Sequence, residues 1–90
     1  KNNLKLMKYL VTHKVKNVNE WLSFKKERHE YLLKFGKNIS EFVSGNNSVG
    51  IVLNVFDEKG LNERHSSEEN FLRMRKHGVL IESIEIFKHC

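Results

Sequence analysis

Leu6-Met7-Lys8-Tyr9-Leu10-Val11-Thr12-His13-Lys14-Val15, followed almost at once by Asn17-Val18-Asn19-Glu20-Trp21, decides how this chain folds. In an extended strand Met7, Tyr9, Val11, His13 and Val15 share one face, while Leu6, Leu10 and Thr12 share the other with Lys8 and Lys14. Both faces are partly apolar. That is the pattern of a central strand packed on helices on one side and on something else on the other. The two lysines assign the Tyr9 face to the helices. Asn17 then offers a helix N-cap, and Glu20 stands three residues on, at capping-box spacing.

The helix begun there carries Val18, Trp21, Leu22, Phe24, Tyr31, Leu32, Leu33 and Phe35 as a broad apolar stripe, with Gly36 expected as its left-handed stop. Ile39 to Val43 and Val49 to Phe56 read as a hairpin joined by the turn-rich run Ser44-Gly45-Asn46-Asn47-Ser48. Val49, Ile51, Leu53 and Val55 form one face of its second strand, and Gly50, Val52, Asn54 and Phe56 form the other. From Asp57 a short helical turn and then a second helix are expected, because Gly60 and Ser66-Ser67 interrupt the pattern. Ser66 and Glu69 have capping-box spacing, Phe71, Leu72 and Met74 supply the buried side, and Gly78 follows His77 as the stop. Val79 to Phe87 reads as a closing strand.

Strand, helix, strand, strand, helix, strand predicts an α+β fold, a ferredoxin-like βαββαβ domain over residues 1–90. Its antiparallel four-stranded sheet carries helices on one face only. The bare face would present Leu10, Val52 and Phe56 with Phe42 and Phe87, each worth about 1.5 to 3 kcal/mol if buried. A second copy stacked sheet to sheet buries them, so a homodimer is expected.

Ninety residues allow one core. Apolar residues at 39% and charged residues at 30% fit an ordinary globular chain. The net charge of +5 and pI near 9.5 raise the question of nucleic acid, but lysines alternate with glutamates, and Lys25-Lys26-Glu27-Arg28 is the nearest approach to a cluster. The single cysteine, Cys90, excludes an internal disulfide. No apolar run reaches membrane-spanning length, and the Lys-Asn-Asn start leads into no leader-like core, so a cytoplasmic protein without membrane association is expected.

Tyr-Leu-Val-Thr-His-Lys-Val ending the first strand, Val-Asn-Glu-Trp opening the first helix, Arg28-His29 midway along it and Arg75-Lys76-His77-Gly78-Val79 before the last strand resemble the dimeric α/β-barrel superfamily, in particular small antibiotic-biosynthesis-monooxygenase-like proteins. The resemblance implies that two ferredoxin-like protomers join their sheets into a barrel, each with a pocket between its own sheet and helices. Haem-degrading members use an asparagine on the first strand with a tryptophan and a histidine elsewhere. Here that strand offers Tyr9 and His13, and the tryptophan is in the helix, so their chemistry is not matched.

Tyr9, His13, Trp21, Arg28 and His29 are the residues expected to line such a pocket, with His65 and Arg75 at its mouth. His13 could act as acid or base or orient a ligand oxygen; alternatively it is a strand-end histidine satisfied by backbone. Arg28, inside the apolar stripe, must if buried find an anion or several acceptors, such as a ligand carboxylate; alternatively it snorkels to solvent or pairs with Glu68 or another acid of the chain. The histidines lack paired metal-ligand spacing, no glycine-rich phosphate loop is present, and Cys90 and the serines form no hydrolase constellation, so no metal or cofactor is expected. The leading expectation is a homodimer binding a small, largely apolar or fatty-acid-like molecule with an acid or carbonyl end. One alternative is a cofactor-free monooxygenase, isomerase or cyclase using His13. Another is a single-strand nucleic-acid module, disfavoured because Val49 to Phe56 lacks the basic and aromatic recognition pattern.

Overall fold

The computed structural model describes residues 5–90. Residues 1–4, the start read above against a leader, lie outside them. The elements are β1 (Met7–Val15), α1 (Val18–Ser23), α2 (Lys25–Leu32), β2 (Gly36–Ser44), β3 (Ser48–Val55), α3 (Glu58–His65), α4 (Glu68–Lys76) and β4 (Val79–Lys88). The strands form one antiparallel sheet in the order β2-β3-β1-β4, the ferredoxin-like arrangement expected, with each crossover helix broken into two.

The parity of β1 is as read. Tyr9, His13 and Val15 are buried with Val49, Ile51, Leu53 and Val55 of β3, and Val18, Trp21 and Val79 close over them. The other side of the sheet sets Leu10 opposite Val52 and Phe87, and leaves Leu10, Phe42 and Phe87 exposed.

Local chemistry explains the junctions. Asn17 Oδ1 accepts from the Glu20 N–H at 2.9 Å, so α1 starts where the cap predicts. The first helix is not continuous, however. The Phe24 N–H turns back to Trp21 O at 3.1 Å, a tighter three-residue closure, and Phe24 both ends α1 and precedes α2. This turn brings the Phe24 ring flat against His77, with centroids 4.4 Å apart. The apolar stripe is correspondingly narrower than expected, and Leu22 and Leu33 are exposed.

Gly36 does not stop a helix. It begins β2, and a Cβ there would lie 2.6 Å from Asn54 O, so the close passage of β2 over β3 is what requires glycine. β2 consequently starts earlier than Ile39, with a bulge after Lys37 where Asn38 takes φ 56°. The cap of α4 is Ser67 rather than Ser66: its Oγ accepts from the Asn70 N–H at 3.2 Å. Gly78, at φ 79°, ends that helix as expected.

Two connections hold the sheet edges. Asn47 O and Asn46 O of the hairpin turn accept from the Val15 and Val18 N–H groups, pinning the turn beneath the β1–α1 junction. On the other side, His13 alone on β1 faces the run Ile81 to Ile84 on β4, a wide bulge. Ser83 fills the gap in the ladder: its Oγ accepts from the Lys14 N–H at 2.7 Å and donates to Leu80 O at 2.6 Å. No helix among the described residues is long and apolar enough to cross a membrane.

Candidate ligand cavity

A cavity of about 110 Å³ lies between the sheet and the helices. Its walls are mainly apolar: Val11, Ile51, Leu53, Ile84 and Ile86 from the sheet, with Leu32, Leu61 and Met74 from the helices. The polar side chains around it are Tyr9, His13, Arg28, Tyr31, Asn62, His65, Asn70 and Arg73.

Tyr9 contributes its ring, while its hydroxyl donates to Glu58 Oε1 at 2.6 Å and is thereby committed to the start of α3. Burial, then the Glu58 carboxylate, pushes that phenol above its ordinary range.

His13 meets the edge of the Trp21 indole at 5.9 Å, and its Nδ1 lies 3.2 Å from Lys14 O. A carbonyl only accepts, so this contact favours the tautomer with the proton on Nδ1 and leaves the lone pair on Nε2. Burial lowers the His13 pKa, and the nearby Arg28 charge acts in the same direction. The result is a neutral imidazole at neutral pH, a hydrogen-bond acceptor and a weak base.

Arg28 lines the cavity with its own acid already in place. Nε donates to Glu41 Oε2 at 2.6 Å and Nη2 to Glu41 Oε1 at 3.0 Å, while Nη1 donates to Trp21 O at 3.0 Å. Its Cζ stands 3.6 Å over the Trp21 ring. The partner is therefore Glu41 from β2, not Glu68, and the guanidinium fork is occupied.

Trp21 itself is fully buried behind His13 and Arg28 and is not part of the wall; its Nε1 has no hydrogen-bond partner among the described residues. His29 is also outside the cavity. Its buried Nε2 approaches Glu41 Oε2 at 3.2 Å without hydrogen-bond alignment. His65 does reach the cavity from the end of α3, and burial lowers its pKa. Arg75 is exposed and lines instead a shallow groove with Lys16 and Glu82.

The structure thus brings Tyr9, His13, Arg28 and His65 together and leaves Trp21, His29 and Arg75 off the wall. It adds Tyr31, Asn62, Asn70 and Arg73, which the sequence reading passed over. Their signal was positional: Asn70, Arg73, Met74 and His77 recur at helical spacing along α4. Phe71 and Leu72 drew attention as the buried side by hydrophobicity alone. Adjacent residues project about 100° apart, and Leu72 is exposed while Asn70 and His77 are buried.

Neither a family model nor a curated protein matches this sequence. Solved structures define the class to which the architecture corresponds: small ferredoxin-like α+β proteins, the fold expected from the resemblance. A conserved protein from Methanosarcina mazei Go1 superposes with a TM-score of 0.66 at 18% identity, covering 96% of this chain and 92% of that one. A putative antibiotic biosynthesis monooxygenase from Bacillus cereus superposes with a TM-score of 0.52 at 15% identity, covering 96% and 90%. At these identities the likeness is one of fold. Among the described residues no group of His, Cys, Asp and Glu is placed to hold a metal ion.

Proposed function

We propose that this protein is a cytoplasmic homodimer that binds a small, largely apolar molecule with an acid or carbonyl end in the cavity between sheet and helices. The observation that carries the reading is the cavity itself: a mainly apolar cleft between sheet and helices, partly open to solvent, with a few polar side chains along it. Native mass spectrometry of the purified protein tests it. A retained small molecule, or saturable shifts of cavity amides on titration with short branched acids and ketones, supports the reading; a protein that binds none of them refutes it.

Supporting the proposed dimerisation through the bare sheet are Leu10, Phe42 and Phe87, exposed on that face beside the half-buried Val52. Placing a charge in the middle of that face by Leu10→Lys, on the central strand β1, is expected to yield monomers in light scattering. A wild-type monomer at micromolar concentration would count against it.

The enzymatic reading has one specific observation in its favour, the contact of His13 Nδ1 with Lys14 O at the cavity wall, which leaves Nε2 available to accept a proton. In that case His13 is the base in cofactor-free chemistry on the bound molecule, and His13→Ala abolishes turnover while the dimer persists. The putative monooxygenase among the solved structures is a reason to screen oxygenation first.

A further inference from the structure

We propose that Tyr31 and Arg73 form the polar recognition element of the cavity, and that they select molecules bearing a carboxylate or similar oxyanion over neutral molecules of the same shape. The inference rests on the cavity reading above and adds the chemistry of its occupant.

Charge balance singles out Arg73. Two arginines line the cavity, and Arg28 is neutralised by Glu41 in a two-pronged ion pair. Arg73 has no carboxylate partner among the described residues. Its guanidinium lies 3.7 Å over the Tyr31 ring, and Nη2 donates to Asn70 Oδ1. A guanidinium carries five N–H donors, so most remain for another acceptor. Asn70, buried, is held in turn by donating to His65 O at 3.0 Å, which fixes the acceptor that orients Arg73. The nearest other charges at Tyr31 are Arg64 and Glu69, which pair with each other at 3.4 Å.

The second observation is independent of charge. The Tyr31 hydroxyl is buried on the cavity wall without a well-aligned hydrogen bond; its polar neighbour is the Arg73 guanidinium, which can only donate, so among the described residues the hydroxyl proton has no acceptor. A buried hydroxyl whose proton has no acceptor is unfavourable, and a phenylalanine would avoid that cost. A bound oxyanion supplies what is missing on both counts: an acceptor for the hydroxyl and a counter-charge for the guanidinium. A neutral ketone or amide offers the acceptor but leaves Arg73 uncompensated.

The test compares isovalerate with isovaleramide, which share one branched chain, by amide chemical-shift titration of the full chain. Isovalerate is expected to bind about tenfold more tightly than the amide, the range for a charge-assisted contact partly open to water. Arg73→Met is expected to bring the two to similar affinity by weakening only the acid, and Tyr31→Phe to weaken the acid several-fold. Equal affinity in the wild type, or an undiminished preference in Arg73→Met, overturns the selection while leaving the cavity reading intact. Binding of neither probe overturns both. Should Arg73→Met fail to fold, Arg73→Gln, which keeps a polar side chain but removes the charge, decides: an undiminished ratio of acid to amide affinity refutes the proposal.

Discussion

Replacing Glu41 by leucine would leave the Arg28 guanidinium buried with one backbone acceptor and the face of Trp21 as its only company. The side chains of Arg28 and Glu41 are 8% and 3% exposed, so the pair is desolvated and surface values for ion pairs do not apply. Breaking one partner of such a pair costs about 3 to 5 kcal/mol, mostly the penalty of the charge left behind. Domains have roughly 0.05 to 0.15 kcal/mol of stability per residue, or about 5 to 13 kcal/mol for this chain. Glu41→Leu should therefore remove roughly a quarter or more of the total.

Arg28→Met should cost less than Glu41→Leu, because the remaining carboxylate still has His29 Nε2 at 3.2 Å, a cation when protonated. The double variant removes both charges and should cost much less than the two singles added, with a coupling above about 2 kcal/mol. Urea unfolding of the four proteins at one pH, with slopes checked for constancy, measures the cycle. If Glu41→Leu loses under about 1 kcal/mol, or the singles simply add, Glu41 is not what neutralises Arg28. The double variant should also keep its preference for acids, since Arg73 remains.

Three further expectations concern stability. Burial holds the imidazoles of His13, His65 and His77 below their ordinary value of 6.5, so the native state binds protons more weakly than the unfolded chain. Stability should be complete above about pH 7 and decline as pH falls through 6.5 toward the lowered native values, and His65→Gln should reduce the slope; a urea midpoint constant between about pH 8 and about pH 5 would contradict this. Tyr31→Phe, by removing the orphaned hydroxyl, should stabilise the ligand-free protein by about 1 kcal/mol in thermal and urea melts, the opposite sign to its effect on acid binding. Gly36→Ala should destabilise by about 1 to 3 kcal/mol, because the new Cβ meets Asn54 O at 2.6 Å and backbone must move; an unchanged urea midpoint would show that β2 is not held this close.

The fold was largely written in local patterns. Alternation in Met7–Val15 and Ser48–Val55 specifies which side chains go inward, since the strand period is two and a one-residue slip would expose Tyr9, His13 and Val15 together. Asn17 and Gly78 mark helix ends by chemistry that acts within a few residues. Where the sequence misled, the deciding contact was distant in the chain: Gly36 reads as a helix stop until β3 is laid beneath it, and the break at Phe24 makes sense once His77 is beside it.

The site divides along the same line. That His13 shares a face with Tyr9 follows from the order of residues alone, because parity is a property of the strand, whereas that this face is the one under the helices is decided by the tertiary structure. Which arginine is free was decided only in three dimensions. Arg28 stood out in the sequence for its place in an apolar stripe and Arg73 did not stand out at all; β2 brings Glu41 to the first, while no acid among the described residues pairs with the second. Periodicity orients a side chain, but the compensation of a charge depends on what the rest of the fold sets against it.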